Sequence, residues 1–226
     1  MAGQRADVIL ANPNGITING GGYINTNRAM VTTGVPQVDA AGALRGYEVR
    51  KGDVRIEGKG INASNLTGFD IVSRAAVINA EIHAKELKVI TGQNSYDPAT
   101  GKVTALPSDG TPPPAVAIDS TALGGMYAGL ITLTSTEKGV GVNLDGMVQS
   151  TGDLRITADG RLVAGKAAAK GTSDIIAGKD LTIKAGGVAA DKARLAAQGK
   201  VSITADDVAA KNTSVYAGAS LDVRAP

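Results

Sequence analysis

Short alternations of aliphatic and polar residues run along most of the chain. In the last third they recur as [LV]-x-[IV]-x-A units, each preceded by a glycine two or three positions earlier. This alternation predicts strands, because every second side chain of a strand points to the same face. The four units are Leu154–Ala158, Leu181–Ala185, Val201–Ala205 and Leu221–Ala225.

The units begin 27, 20 and 20 residues apart, and the longer interval indicates seven extra residues near Ala167 to Ser173. Twenty residues are too many for one hairpin but suit one coil of a parallel β-helix, whose coils stack about 4.8 Å apart. We therefore predict an all-β parallel β-helix with Leu181, Val201 and Leu221 in one inward-facing row. The repeat alignment also places the Ala-rich stretches 163–170 and 188–198 in coils rather than in helices.

Residues 91–115 interrupt this pattern. They contain several prolines, which cannot donate a backbone hydrogen bond to a neighbouring strand. Asp97–Gly101 has the composition of a turn, and Pro112–Pro114 favours an extended return. We predict an excursion out of the coil stack over 91–115, with a small hairpin around Asp97–Gly101.

The segment Asn12–Gly15 separates two strand-like runs, Val8–Leu10 and Ile16–Ile18. Asparagine at the first turn position, proline at the second and glycine at the fourth are the residues that a type I β-turn favours. The pattern therefore predicts a strand, a tight turn and a second strand.

The amino-acid composition indicates how wide the core can be and which kinds of functional site are available. The 226 residues include 30 glycines but only five Tyr, one Phe and no Trp, so a narrow aliphatic core is expected. The net charge of +2 and the absence of a Lys/Arg run argue against nucleic-acid binding. Without cysteine there are no disulfides and no thiolate metal sites, and we predict no metal and no cofactor.

Two local patterns favour a structural role over catalysis. Gly160–Ala167 resembles a P-loop, but it lacks the Ser or Thr that binds the metal and lies inside the repeats. His83, the single histidine, alternates with Ile82 and is predicted to point outward without catalytic partners. We therefore predict that the chain is not an enzyme.

Two alternatives stay open at this point. A polysaccharide-active β-helix enzyme would need a cleft lined by carboxylates, and a glycan-binding module would need a groove lined by Tyr23, Tyr47 and Tyr127. The candidate carboxylates lie in different predicted coils, which stacking could still bring together: Asp39, Asp53, Asp70, Asp145, Asp153 and Asp159.

Four stretches carry a family resemblance. In this order they resemble motifs of the two-partner secretion domain of filamentous-haemagglutinin-like exoproteins and contact-dependent inhibition toxins: Asn12–Ile16, Gly22–Thr26 with Arg28–Ala29, Gly124–Ala128 and Thr136–Val142. The following 20-residue repeats are similar to the start of that family's β-helical rod. The family's N-terminal cap, an earlier Asn-Pro-Asn-Leu motif and a signal peptide are not found, so we expect the N-terminal part to be missing.

The resemblance implies a right-handed parallel β-helix, a place outside the cell or on its surface, and export through an outer-membrane β-barrel transporter. It also implies a host or neighbouring cell as a further partner. We expect residues 1–150 to belong to the secretion domain and 151–226 to begin the rod, with weak end-to-end self-association. A sequence motif for export is expected at the turn: Asn12, Pro13, Asn14, Gly15 and Ile16.

Overall fold

The structure is a computed structural model that describes residues 3–165 and 173–225. Within these ranges the regular elements are all strands, and no helix is present that could span a membrane. The strands are β1 (Ala6–Ala11), β2 (Ile16–Asn19), β3 (Thr26–Thr32), β4 (Val35–Val38), β5 (Leu44–Val49), β6 (Asp53–Glu57), β7 (Ile61–Ala63), β8 (Gly68–Ser73), β9 (Ala75–Ile78), β10 (Glu81–Thr91), β11 (Asn94–Asp97), β12 (Lys102–Ala105), β13 (Ile118–Ser120), β14 (Gly125–Ser135), β15 (Val142–Leu144), β16 (Met147–Ser150), β17 (Leu154–Ala164), β18 (Ser173–Ala177), β19 (Leu181–Asp191), β20 (Ala193–Ala197), β21 (Val201–Ala205), β22 (Val208–Lys211), β23 (Ser214–Ala217) and β24 (Leu221–Arg224).

Twenty of these strands form one sheet that coils into a β-helix with three stacks of parallel strands. Stack I runs β1-β3-β8-β10-β14-β17-β19-β21-β24. Stack II runs β2-β6-β9-β13-β15-β17-β19-β22. Stack III runs β7-β10-β14-β16-β18-β20-β23. The 11-residue strands β10, β14, β17 and β19 each turn a corner and therefore belong to two stacks.

The repeat spacing fixes the register of the last coils, as the sequence predicts. Leu181 pairs with Val201, and Val201 pairs with Leu221, so the three residues occupy one row. Leu181 and Val201 are fully buried, whereas Leu221 is 53% exposed because it lies in the last coil of the stack. Leu154 also pairs with Leu181, which confirms the 27-residue step between these units.

The Ala-rich stretch 188–198 lies in strands β19 and β20, as predicted from the repeats. Of the stretch 163–170, Val163 and Ala164 end strand β17, and 166–170 lie outside the described residues. The predicted seven-residue insertion also lies there except for Ser173, which begins β18. In the P-loop-like stretch, Gly160–Ala164 is part of strand β17 rather than a phosphate-binding loop.

The excursion is present and includes the predicted hairpin. Strands β11 and β12 pair antiparallel, and Gly101 N donates to Asp97 O at 2.8 Å across their turn. The sequence did not predict that β4 and β5 also leave the coils to complete a four-stranded sheet in the order β12-β11-β5-β4. We call this the extrahelical sheet. It covers part of the outer face of stack I with a second apolar core: Met30, Tyr47, Val49, Val72, Ile90 and Tyr96.

Strand pairing continues across residue 150. Strand β14 pairs with β16 on one side of this position and with β17 on the other. The strand pairing therefore shows no structural boundary at residue 150. The division into 1–150 and 151–226 stays a prediction about function.

Candidate functional site

The predicted turn lies at the corner between β1 and β2. Gly15 N donates to Asn12 O at 3.1 Å, and Asn14 N donates to Asn12 Oδ1 at 3.1 Å. Asn14 keeps a negative φ, which excludes a type II turn. The turn joins two stacks, because β1 pairs with β3 and β2 pairs with β6.

Close packing against the next coil holds the turn in place. Gly15 has a φ of +117°, and a Cβ at this position would lie 3.1 Å from Asp53 O. Asn12 N donates to Thr32 O at 2.9 Å, and Lys51 Nζ donates to Asn14 Oδ1 at 3.2 Å. The contact from Lys51 was not foreseen, because no local signal places residue 51 beside residue 14.

The five candidate residues therefore differ in what they present to solvent. Asn12 and Asn14 are exposed, whereas Pro13 and Gly15 are half-buried. Ile16 packs against the main core. Any recognition of polar side chains at this turn would have to use Asn12 and Asn14.

A buried polar cluster lies where the extrahelical sheet meets stack I. The Asp70 side chain is 3% exposed and accepts hydrogen bonds from Arg28 Nη2 at 2.7 Å and from the Tyr96 hydroxyl at 3.0 Å. Burial and the Asp70 carboxylate raise the pKa of Tyr96. Burial would raise the pKa of Glu86, but hydrogen bonds and charges from Lys88 and Arg28 hold that pKa below its ordinary value. These interactions connect β3, β8, β10 and β11.

A second cluster attaches the loop that follows the hairpin. Arg74, which is 8% exposed, pairs with Glu137 at 2.8 Å and donates to the Thr111 side chain at 2.5 Å. Gln93 Nε2 donates to Asp109 Oδ1 at 2.7 Å. Hydrogen bonds from the Thr111 side chain and backbone, and then from Gln93, hold the pKa of Asp109 far below its ordinary value.

The carboxylates named from the sequence do not come together. Four of them pair with different arginines: Asp39 with Arg45, Asp53 with Arg55, Asp70 with Arg28, and Asp153 with Arg155. Among the described residues there is no group of three or more His, Cys, Asp or Glu side chains that could hold a metal ion.

The three tyrosines that the glycan-binding alternative would need do not line one groove. Tyr47 is buried in the second core, and Tyr23 packs near Phe69 with a centroid distance of 6.1 Å. Tyr127 instead lies on the outer face of stack III, where its ring stacks on His83 with centroids 5.0 Å apart. His83 also contacts Glu81 at 3.0 Å and points outward as predicted.

The comparisons with known proteins identify the family. The model of the TPS secretion domain matches residues 1–164. The chain belongs to the TPS secretion domain family. A crystal structure of a filamentous haemagglutinin secretion domain matches with a TM-score of 0.73 at 30% identity, covering 98% of this chain and 68% of that one. This match confirms the β-helix, and the TPS secretion domain of filamentous-haemagglutinin-like proteins is a structural and export domain.

Curated relatives of this TPS domain are much longer proteins. The chain is 41% identical over 97% of its length to the 16S rRNA endonuclease CdiA of Enterobacter cloacae, and it covers 7% of that protein. It is 46% identical over 80% of its length to the tRNA nuclease CdiA of Yersinia mollaretii, and 47% identical over 72% to the toxin CdiA of Yersinia pestis. It covers 6% and 5% of those two proteins.

Two of the motifs that carry the family resemblance have a structural role in this TPS domain. Glu137, within Thr136–Val142, is the partner of buried Arg74. Gly124 lies so close to the preceding coil that an added Cβ would be 2.0 Å from Ile78 O. The sequence singled out both stretches. Glu137 lies 63 residues from Arg74 and Gly124 lies 46 residues from Ile78, so local spacing could not predict these contacts.

Proposed function

We propose that this TPS domain directs export of a large exoprotein through a partner outer-membrane β-barrel transporter and then remains as the base of its rod. The match of the secretion-domain model to residues 1–164 is the observation that carries the proposal. The exported protein would be secreted or held on the bacterial surface as an adhesin or a toxin-delivery filament. Residues 151–226 would contribute the first coils of the rod.

We further propose that the transporter recognises the turn Asn12–Gly15 directly. The support is the exposure of Asn12 and Asn14 on a turn held by backbone contacts on two sides. Such a turn presents fixed polar groups without further ordering of the chain. A purely structural role is the competing hypothesis, because the same residues suit a type I turn.

Asparagine-to-aspartate changes in the full-length exported protein separate the two roles. Asn12→Asp keeps the side-chain acceptor that caps Asn14 N while adding one charge at the surface. Asn62→Asp is the matched control, because Asn62 Oδ1 accepts from Ser64 N at 3.0 Å, the same contact with the residue two positions on, away from Asn12. Secretion is measured by the exported fraction, and folding by thermal melting.

Direct recognition predicts that Asn12→Asp and Asn14→Asp impair secretion while the melting temperature stays near that of the parent protein. Asn62→Asp should be exported normally. Pro13→Ala should lower the free energy of unfolding by about 1 kcal/mol or less, because the unfolded chain gains conformational entropy. Its export should follow its stability. Normal secretion of both folded Asp variants would exclude recognition of these side chains. Failure of export in a strain lacking the transporter tests the partner independently.

We also propose weak end-to-end self-association of this segment. Val8, Ile9 and Leu10 are exposed at one end of the coil stack, and Leu221 and Val223 at the other. Within residues 3–165 and 173–225, strand β1 pairs only with β3 and β24 only with β21, which leaves open strand edges of the kind that promote pairing. Light scattering should show a mass that rises with concentration, and a constant monomer mass would contradict the proposal.

A further inference from the structure

A row of outward-facing residues crosses six successive strands of stack III. The pairing places His83, Tyr127, Gln149, Ile176, Ala196 and Tyr216 in register. Neighbours such as Met126 and Val148 point into the core and are fully buried. Tyr127 and Tyr216 are four coils apart, which corresponds to about 19 Å along the β-helix.

The first of these tyrosines is held by its surroundings. The Tyr127 ring stacks on His83 with an angle of 10° between the ring planes. Gly125 leaves room for this ring, because a Cβ there would lie 2.8 Å from Tyr127 Cε2. Since His83 lies on the preceding coil, the other face of the Tyr127 ring is directed toward the coil of Gln149.

A shallow trough lies between Tyr127 and the far end of the row. Its depression of about 340 Å³ has Gln149, Gln198 and Tyr216 among its lining residues. Small residues, including Ala197 and Gly178, also line it. A Cβ on Gly178 would lie 2.2 Å from Thr151 O, so no larger residue fits at this position.

Charge restricts what can occupy the trough. All of its lining residues are uncharged. At its border Arg194 pairs with Asp174 at 3.2 Å. The exposed amides of Gln149 and Gln198 make no side-chain hydrogen bond to the described part of the chain, and each offers two donors and an acceptor oxygen.

These features match an uncharged sugar chain better than a peptide. Strands β16, β18 and β20 beneath the trough pair on both sides, so a peptide strand could add only at the outer edge of β23 and not along the trough. Aromatic rings bind the apolar face of a sugar ring, and free amides bind its hydroxyl groups. We propose that this trough binds a linear, uncharged hexose polysaccharide along the β-helix axis.

Calorimetric titration of the 226-residue chain with neutral and acidic oligosaccharides tests the site. Cellohexaose and maltohexaose represent the proposed class, and hexagalacturonate represents acidic chains. At least one neutral hexasaccharide should bind, and Tyr216→Ala should weaken it at least tenfold. Tyr216 is 63% exposed, so its truncation should leave the fold intact.

Ile24→Ala is the matched control, because it truncates a 94% exposed apolar side chain outside the row. It should bind like the parent chain, and Tyr216→Phe should retain the stacking surface and most of the affinity. No binding of either neutral hexasaccharide at millimolar concentration would overturn the proposal. Preference for hexagalacturonate, or equal affinity of Tyr216→Ala and the parent chain, would also overturn it. The site involves neither the turn nor the transporter, so this result is independent of the export proposal.

Discussion

The Tyr96 hydroxyl donates a 3.0 Å hydrogen bond to Oδ2 of Asp70 and thereby joins the extrahelical sheet to stack I. Tyr96 lies on β11 and Asp70 on β8. Both residues are almost fully buried, and Arg28 neutralises the carboxylate from its other side. A neutral hydroxyl and an ion pair thus fix the position of a sheet that lies outside the coils.

We expect Tyr96→Phe to lower the free energy of unfolding by about 2 kcal/mol, the range for a hydrogen bond to a buried charged group. The ring would stay in the second core, so the change isolates the hydroxyl. Urea unfolding measures the effect. Tyr216→Phe is the control, because its exposed hydroxyl should change stability by less than about 0.5 kcal/mol. Equal stability of the two variants would contradict a role for the Tyr96–Asp70 bond.

Acid should weaken the attachment of the loop that contains Asp109. Its folded pKa lies below the unfolded value of about 3.9, so its contribution is present above pH 4 and is lost as pH falls toward the folded pKa. The difference in unfolding free energy between the parent chain and Asp109→Asn should therefore shrink between pH 7 and pH 2.5. A difference independent of pH would show that ionised Asp109 does not stabilise the loop.

Gly124→Ala should destabilise the chain by more than about 2 kcal/mol, because the added methyl group would overlap Ile78 O on the preceding coil. Chemical denaturation measures the change. Gly21→Ala is the matched control, since a Cβ there has no neighbour within 4 Å. The control should be neutral or slightly stabilising through lower chain entropy in the unfolded state. Similar stability of both variants would refute the close contact at Gly124.

Leu181→Ala and Leu221→Ala test how burial changes along one row. Leu181 is fully buried, and its truncation should lower the free energy of unfolding by about 2–5 kcal/mol. Leu221 holds the same repeat position but is 53% exposed, so its truncation should cost less than about 1 kcal/mol. Unfolding by urea measures both values, and equal costs would mean that the last coil is covered in solution.

Local sequence determined the coils and several turns. The 20-residue spacing set the register of Leu181, Val201 and Leu221, because each coil must pair its backbone with the next one. Asparagine, proline and glycine at their favoured positions predicted the turn at Asn12–Gly15. The proline content predicted the excursion at 91–115. These signals act over a few residues or recur at a fixed period, so they can be read without knowing the fold.

Only the tertiary structure decided what leaves the coils and what the excursion contacts. Strand β5 pairs with β11, whose residues lie more than 40 positions away, and nothing in its alternation distinguishes it from a coil strand. The partners of Asp70 and Arg74, and the separation of Tyr47 from Tyr127, follow from that pairing and from the stacking of coils. An alternating pattern fixes which face of a strand is buried, but the choice of the strand or sheet that covers it depends on contacts between distant segments.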